Sequence, residues 1–321
     1  MIFPFGGVPN VLALGRNEAG FTPIMKIDEH GFHNPSSLYN KSKVDVVLTG
    51  DSFTEGYSVH SSETIGAVLR ESGFIAISLG KSGNGPLVEY AALKEYAEPL
   101  APKIVLWMYY INDLIDLERE IQSSILRKYL DDDNFSQNLI SRQEEINSVL
   151  VQFLEGKIEE ARLIERESRI TSRRIINILT LSNLRARINL LPALAPNIAP
   201  APYHTVTNID STAAIFNNIL RKSKKLVSGW GGKFYFVYLP PYDRYSERAS
   251  TNKVDQYRDL VMHTANGLGI PVIDIHEAVF KTHPDPLSLF PFRYEGHYNA
   301  DGYRVVAEAI AKRLRADGVL Q

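Results

Sequence analysis

The stretch Val44–Gly56, VDVVLTGDSFTEG, decides the fold of this chain. Its first half is an apolar, largely β-branched run, which predicts a strand buried on both faces. The turn Gly50-Asp51-Ser52 then places a serine at the carboxyl end of that strand, the edge where open α/β sheets bind ligands. Residues 62–73 after it predict a capped amphipathic helix. Ser52 is therefore either a nucleophile presented to solvent or a residue that caps a helix or closes a turn.

Four further apolar runs alternate with polar turns and helical patterns along the chain. The predicted strands are Phe74–Leu79, Lys103–Tyr110, Lys233–Leu239 and Ile270–Ile275, and a final helix is expected from about Ala300 to Arg315. This alternation is typical of a parallel, doubly wound α/β sheet.

The domain organisation follows from the lengths of the intervals. Residues 1–43 are rich in Gly, Pro and Asn and predict an irregular lead-in, and residues 44–321 predict a single domain. The third and fourth strands are separated by far more chain than a crossover needs, so we expect a large helical insertion at about residues 117–230.

Within this insertion, five arginines precede an apolar run, and a proline-broken stretch occupies Leu190–His204. The arginines are Arg162, Arg166, Arg169, Arg173 and Arg174. A basic amphipathic segment can lie on a membrane surface or bind a partner; a solvated basic face that packs its apolar side on the domain is the favoured alternative.

Composition excludes several classes of protein. A formal net charge of −2 gives no electrostatic reason to expect nucleic acid as a partner. The absence of cysteine excludes disulfides, thiolate metal sites and a cysteine nucleophile. No apolar run is long enough to span a bilayer, and the start predicts no signal peptide. Taken literally, this predicts a cytoplasmic protein, whereas an anchor missing from this chain would place it outside the cytoplasm.

A serine nucleophile needs a base, usually a histidine oriented by a carboxylate. His297 is the best candidate because it lies in the polar loop YEGHYNADGY before the last helix. Glu295, two residues earlier, is the candidate that orients its imidazole. The competing histidines are less well placed: His60, His204, His263 and His276.

Acyl transfer also needs donors for the oxyanion of the tetrahedral intermediate. The turns at 50–52, 80–85 and 111–113 converge at the carboxyl edge of the predicted sheet. Suitable donors there are the backbone N–H groups of Ser52 and Gly83 and the side-chain amide of Asn112.

A second pair of histidines, His30 and His33, lies beside Asp28 and Glu29. A metal site is one interpretation. The neighbouring glycine, asparagine and proline favour a solvated loop instead.

Four blocks of this sequence resemble the SGNH (GDSL-type) hydrolases, over residues 44–110 and the carboxyl-terminal third. They are GDSF at Gly50–Phe53, SGNGP at Ser82–Pro86, IND at Ile111–Asp113 and EGHYNADGY at Glu295–Tyr303. The resemblance implies Ser52 as nucleophile, Gly83 and Asn112 as oxyanion donors and His297 as base. The sequence departs from the family at Ile111, where a glycine is usual, and at Glu295, because the usual carboxylate is an aspartate.

The resemblance implies a flavodoxin-like three-layer sandwich with a central parallel sheet of about five strands. It also implies a serine esterase or acyl hydrolase that needs no metal or organic cofactor. Its substrate would be a small ester, such as an acetyl group on a carbohydrate. Two alternatives stay open: an O-acyltransferase with the same site, active in polysaccharide modification, and a non-catalytic glycan-binding protein on a degenerate hydrolase fold. The oligomeric state is left open.

Overall fold

A parallel five-stranded sheet is the centre of the computed structural model, which describes residues 2–40, 43–172, 206–246 and 251–319. In chain order the strands are β1 (Leu12–Leu14), β2 (Ile24–Lys26), β3 (Val46–Gly50), β4 (Ala76–Ser78), β5 (Ile104–Tyr109), β6 (Lys233–Tyr238) and β7 (Val272–Asp274). The sheet order is β4-β3-β5-β6-β7. The predicted parallel sheet of about five strands is confirmed.

The sheet is buried on both faces because helices cover both sides. The helices are α1 (Ser52–Glu55), α2 (Ile65–Glu71), α3 (Pro86–Ala92), α4 (Asp113–Glu120), α5 (Ser124–Asp131), α6 (Gln143–Ser172), α7 (Ile209–Gly229), α8 (Thr251–Gly267) and α9 (Ala300–Ala316). Helices α2 and α9 pack against each other, and their apolar residues share a buried cluster with alternate residues of β3, β5 and β6. On the opposite face, the ring of Phe216 in α7 lies 5.9 Å from that of Tyr109 in β5. This gives the expected three layers.

The lead-in is more ordered than predicted. β1 and β2 form an antiparallel hairpin in which Leu12 pairs with Lys26 and Leu14 with Ile24. The predicted irregular lead-in thus contains one short hairpin. Strands of three residues are too short to give a clear alternating pattern in the sequence.

Two compact units divide the chain. The first comprises Met1–Gln143 and Val206–Gln321 and contains the whole central sheet; the second comprises Glu144–Thr205. The second unit contains fewer residues than the insertion predicted at about residues 117–230. The reason is visible at Glu118, whose carboxylate accepts hydrogen bonds from the backbone N–H groups of Thr207 (2.8 Å) and Asn208 (3.2 Å). These bonds tie the start of α7 to α4 within the first unit.

Several predicted features of the insertion lie outside the described residues. These are Arg173, Arg174 and the stretch Leu190–His204. Within the ranges that are described, no helix is both long and apolar enough to cross a membrane.

Candidate active site

Ser52 stands where the sequence places it, directly after β3 and at the first residue of α1. Asp51 is the residue that caps this helix, since its carboxylate accepts a hydrogen bond from the Phe53 N–H at 2.9 Å. The Ser52 hydroxyl is therefore not used as the cap. Because Ser52 is the first helical residue, its own N–H has no partner within the helix.

His297 meets Ser52 across the carboxyl edge of the sheet. Its Nε2 lies 2.7 Å from the Ser52 Oγ, a hydrogen-bonding distance. The loop that carries His297 ends at Asn299, whose side chain caps α9 by accepting from the Gly302 N–H. The ring of Phe53 lies 4.6 Å from the imidazole and packs beside it. The serine and the histidine are thus brought together as predicted.

The carboxylate on the other side of His297 is Glu18, from the connection between β1 and β2. Both Glu18 oxygens lie 3.0 Å from His297 Nδ1, and Oε2 also accepts from the His297 backbone N–H at 2.8 Å. Glu295, the residue predicted for this role, is exposed on the surface. The assignment of Glu295 as the orienting carboxylate is therefore corrected to Glu18.

Glu18 is seated tightly against the histidine loop. A Cβ at Gly296 would lie 3.0 Å from Glu18 Oε2, so a larger residue there would press on the carboxylate. Burial alone would raise the pKa of Glu18, but the hydrogen bonds and charge of His297 outweigh it and lower that pKa, with a smaller contribution from Arg16. Glu18 is therefore ionised whenever His297 acts as a base near neutral pH.

The sequence carries no strong signal for Glu18. It is 279 residues from His297 and lies in a segment without apolar periodicity. Glu18 is the one acidic residue of the stretch RNEAG at residues 16–20, and this distinguishes it only after the hairpin is known. Sequence proximity to the histidine favoured Glu295 instead.

The loop 80–85 presents Gly83 at the same edge of the sheet. Gly83 has φ +85°, a conformation that residues with a side chain rarely adopt, and it is exposed. No hydrogen bond among the described residues uses its N–H. That N–H is therefore free to bind a ligand oxygen.

Asn112 lies between β5 and α4, directly before the first residue of that helix. Its Nδ2 donates to Asp116 Oδ2 at 2.7 Å, which fixes the orientation of the amide. Burial raises the pKa of Asp51, and the hydrogen bond from the Phe53 N–H, the charge of His297 and the nearby Asn112 side chain partly oppose this rise. Asn112 is thus held next to the residue that precedes the serine.

Beneath these loops lies a group of buried carboxyl groups. Glu89 and Asp113 are fully buried, and burial together with neighbouring carboxylates raises both pKa values well above the ordinary range. Burial also raises the pKa of Glu120 to about 7, although three backbone N–H groups donate to it. Glu89 and Asp113 therefore hold protons at neutral pH, whereas Glu120, which has N–H donors on both oxygens, binds these donors as a carboxylate.

His30 and His33 do not form the solvated loop that was predicted. His33 is buried, with Nδ1 2.9 Å from the Glu55 carbonyl oxygen and Nε2 2.8 Å from Ser61 Oγ, and burial lowers its pKa to about 4. His30 Nδ1 lies 2.8 Å from Gln143 Oε1. In the described part of the chain, no group of three His, Cys, Asp or Glu side chains is placed to hold a metal ion.

Comparison with known families decides the relationship. The model of the GDSL-like lipase/acylhydrolase family matches residues 48–305. The chain belongs to this family. The match spans the predicted serine, oxyanion and histidine blocks. The GDSL-like protein is therefore an SGNH-type ester hydrolase.

Solved structures of similar proteins share little sequence with this GDSL-like hydrolase. A lipase/acylhydrolase from Enterococcus faecalis is 13% identical, covers 85% of this chain and 96% of its own, and has a TM-score of 0.45. A member of the lipolytic G-D-S-L family from Veillonella parvula is also 13% identical, with coverages of 84% and 97% and a TM-score of 0.44. The acetyl xylan esterase AlAXEase is 12% identical, with coverages of 84% and 100% and a TM-score of 0.43. No curated protein matches the chain.

Proposed function

We propose that this hydrolase is a serine esterase that works through an acyl-enzyme, with Ser52, His297 and Glu18 as its triad. The observation that carries the proposal is the continuous hydrogen-bonded chain from Glu18 through His297 to the Ser52 Oγ. A carboxylate, an imidazole and a hydroxyl in this order activate serine as a nucleophile on unrelated folds.

In the first half-reaction, Ser52 Oγ attacks the ester carbonyl carbon while its proton moves to His297 Nε2. The carbonyl oxygen becomes an oxyanion, which accepts hydrogen bonds from the Ser52 and Gly83 N–H groups and from the Asn112 amide hydrogen that is not donated to Asp116. Collapse of this intermediate breaks the bond between the carbonyl carbon and the alcohol oxygen. His297 gives its proton to the departing alcohol, and the acyl group remains on Ser52.

In the second half-reaction, water replaces the alcohol and the steps repeat. His297 takes a proton from the water as it attacks the acyl carbon, and returns it to Ser52 Oγ when the acid leaves. Throughout, the Glu18 carboxylate stabilises the imidazolium and holds its Nδ1–H in place. No step in this scheme needs a metal ion or an organic cofactor.

We infer a small acyl group, such as acetyl, carried on a carbohydrate. Support for this part comes from the resemblance of the four sequence blocks to SGNH hydrolases. A series of p-nitrophenyl esters from acetate to decanoate, followed by an acetylated polysaccharide, tests it. We expect kcat/KM to fall with chain length; a maximum at eight or more carbons would contradict a small acyl group.

The triad is tested by hydrolysis of p-nitrophenyl acetate by the wild type, Ser52→Ala and His297→Ala. His263→Ala is a matched control because His263 is an exposed histidine of α8. We expect both site variants to lose at least 1,000-fold in kcat/KM and the control to keep wild-type activity. Full activity in Ser52→Ala would overturn the proposal.

A folded wild type that neither hydrolyses p-nitrophenyl acetate nor reacts with a fluorophosphonate would also contradict it. Analysis of the products with a glycan acceptor present distinguishes hydrolysis from transfer. We expect free acid as the main product, whereas acylated glycan at saturating acceptor would identify an O-acyltransferase that uses the same residues.

A further inference from the structure

We propose that two buried carboxylates, Glu55 and Glu120, are positioning residues that hold the loop 80–85 so that the Gly83 N–H faces the oxyanion. This inference rests on the proposed function, in which Gly83 is an oxyanion donor. Neither carboxylate reaches the reacting atoms in the scheme above, and each acts through the backbone of the loop.

Packing around Gly83 does not fix its position. No heavy atom lies within 4 Å of the site where a Gly83 Cβ would stand, and the residue is exposed. An oxyanion donor must be held rigidly, because its contribution comes from preorganisation before the charge develops. The restraint on this loop must therefore come from its flanks.

Glu55 holds the flank that precedes Gly83. Its Oε2 accepts from the Ser82 N–H at 2.7 Å, and its Oε1 lies 2.5 Å from Lys81 Nζ. The Glu55 side chain is fully buried. A buried carboxylate is tolerated when its oxygens are paired, and both oxygens are paired with this loop.

Glu120 holds the flank that follows Gly83. Its Oε1 accepts from the Gly85 N–H at 2.6 Å, and its Oε2 accepts from the N–H groups of Leu87 (2.8 Å) and Val88 (3.3 Å) at the start of α3. Glu120 is also buried. Ser82 directly precedes Gly83, and Gly85 lies two positions after it. Their N–H groups are thus hydrogen-bonded to carboxylates from different helices.

Those two helices begin at the nucleophile and at the second oxyanion donor outside the loop. Helix α1 starts at Ser52 and ends at Glu55, and helix α4 follows directly on Asn112 and ends at Glu120. Each helix therefore has a proposed catalytic group, Ser52 or Asn112, at its start and a carboxylate for the loop at its end. This arrangement ties the position of Gly83 to the nucleophile and to the second oxyanion donor.

The test compares Glu55→Met, Glu55→Gln and Asp45→Leu in p-nitrophenyl acetate hydrolysis. Methionine fills the space without an acceptor, whereas glutamine keeps one oxygen for the Ser82 N–H. Lys81 can turn to water in the glutamine variant because its side chain is 27% exposed. Asp45→Leu is the matched control, because the Asp45 carboxylate likewise pairs with a backbone N–H (Ile75, 2.9 Å) and a lysine (Lys103, 2.7 Å) but lies directly before β3, at the opposite edge of the sheet from Ser52.

We expect Glu55→Met to lower kcat by about 10- to 100-fold with KM within twofold, because a displaced donor weakens transition-state binding only. Glu55→Gln and Asp45→Leu should stay within about threefold of wild type. An unchanged kcat in folded Glu55→Met, a loss confined to KM, or an equal loss in Asp45→Leu would each overturn the inference.

Glu120→Gln keeps the test decisive if Glu55→Met does not fold. Its amide must place an NH₂ group against a backbone N–H of the loop or of α3, so we expect kcat to fall at least tenfold with KM unchanged. Wild-type kcat in this variant would overturn the inference. Failure of the proposed function is distinguishable, because the wild type itself would then be inactive or Ser52→Ala would be active.

Discussion

Glu18 is the single residue whose charge the proposed mechanism depends on most directly, because it faces His297 Nδ1 with both oxygens. Glu18→Gln keeps the size of the side chain but removes the charge that stabilises the imidazolium. We predict a loss of about 100-fold or more in kcat/KM. Glu295→Gln is the matched comparison, and we predict activity within twofold of wild type. Steady-state kinetics on both variants decide whether Glu18 or Glu295 orients His297. A larger loss of kcat/KM in Glu295→Gln would assign that role to Glu295.

Glu89 gives a prediction on stability at the same scale. Burial, with the charges of Glu120 and Asp51, raises its pKa well above the ordinary 4.5, so the folded protein holds a proton that the unfolded chain releases. The free energy of unfolding therefore falls as pH rises from about 4.5 towards the raised pKa, by up to about 1.4 kcal/mol per pH unit.

Glu89→Gln lacks this titration. We predict that its stability relative to wild type increases from pH 4 to pH 8, measured by urea unfolding at several pH values. The two proteins should be similar near pH 4, where the carboxyl group is protonated in both states. A difference that does not change with pH would show that Glu89 is not held protonated in the fold.

At the scale of elements, a substitution in the loop 80–85 can distinguish a loss of stability from backbone strain from a loss of catalysis. Gly83→Ala places a side chain at φ +85°, where left-handed backbone costs about 1–2 kcal/mol. Gly73 provides the control, because it has φ +94° and likewise nothing within 4 Å of a Cβ. We predict equal losses of stability in Gly83→Ala and Gly73→Ala, and a loss of kcat of at least tenfold in Gly83→Ala alone. Equal kcat values in the two variants would contradict an oxyanion role for Gly83.

The elements were predictable where burial determines them. The strands β3, β5 and β6 are buried on both faces and lie within the apolar runs that predicted them. The hairpin β1–β2 was missed because its exposed positions carry apolar residues, Leu12, Leu14 and Ile24, so the sequence does not mark the face that Met25 buries. Glu18 was missed with it, since a residue on an aperiodic loop is placed only by contacts far away in the chain.

At the scale of the whole molecule, the division into two compact units predicts the effect of deleting the second unit. Replacing residues 144–205 with a glycine–serine linker removes only the second unit. We predict that the shortened chain folds and hydrolyses p-nitrophenyl acetate, as measured by circular dichroism and by the esterase assay. Loss of the folded state would show that the first unit depends on the second.

The wider deletion, of residues 117–230, is the comparison. It removes α7, whose Phe216, Ile219 and Leu220 are fully buried. Losing each such side chain costs about 2–5 kcal/mol. The loss of all three is therefore comparable to the whole free energy of unfolding of a domain, roughly 5–15 kcal/mol. We therefore predict that this chain does not fold. A helical pattern alone could not locate the boundary, because α7 and the second unit are both helical in sequence.

The pairing of Glu18 with His297 has a consequence for biosynthesis. A ribosome makes the carboxylate 279 residues before the imidazole, so every nascent chain that has not reached the last loop lacks the base of the proposed triad. Catalysis by this triad then begins only after His297 has been made and has folded back against Glu18. Turnover of an ester is, in effect, a report that the whole interval between these two residues has been synthesised and folded.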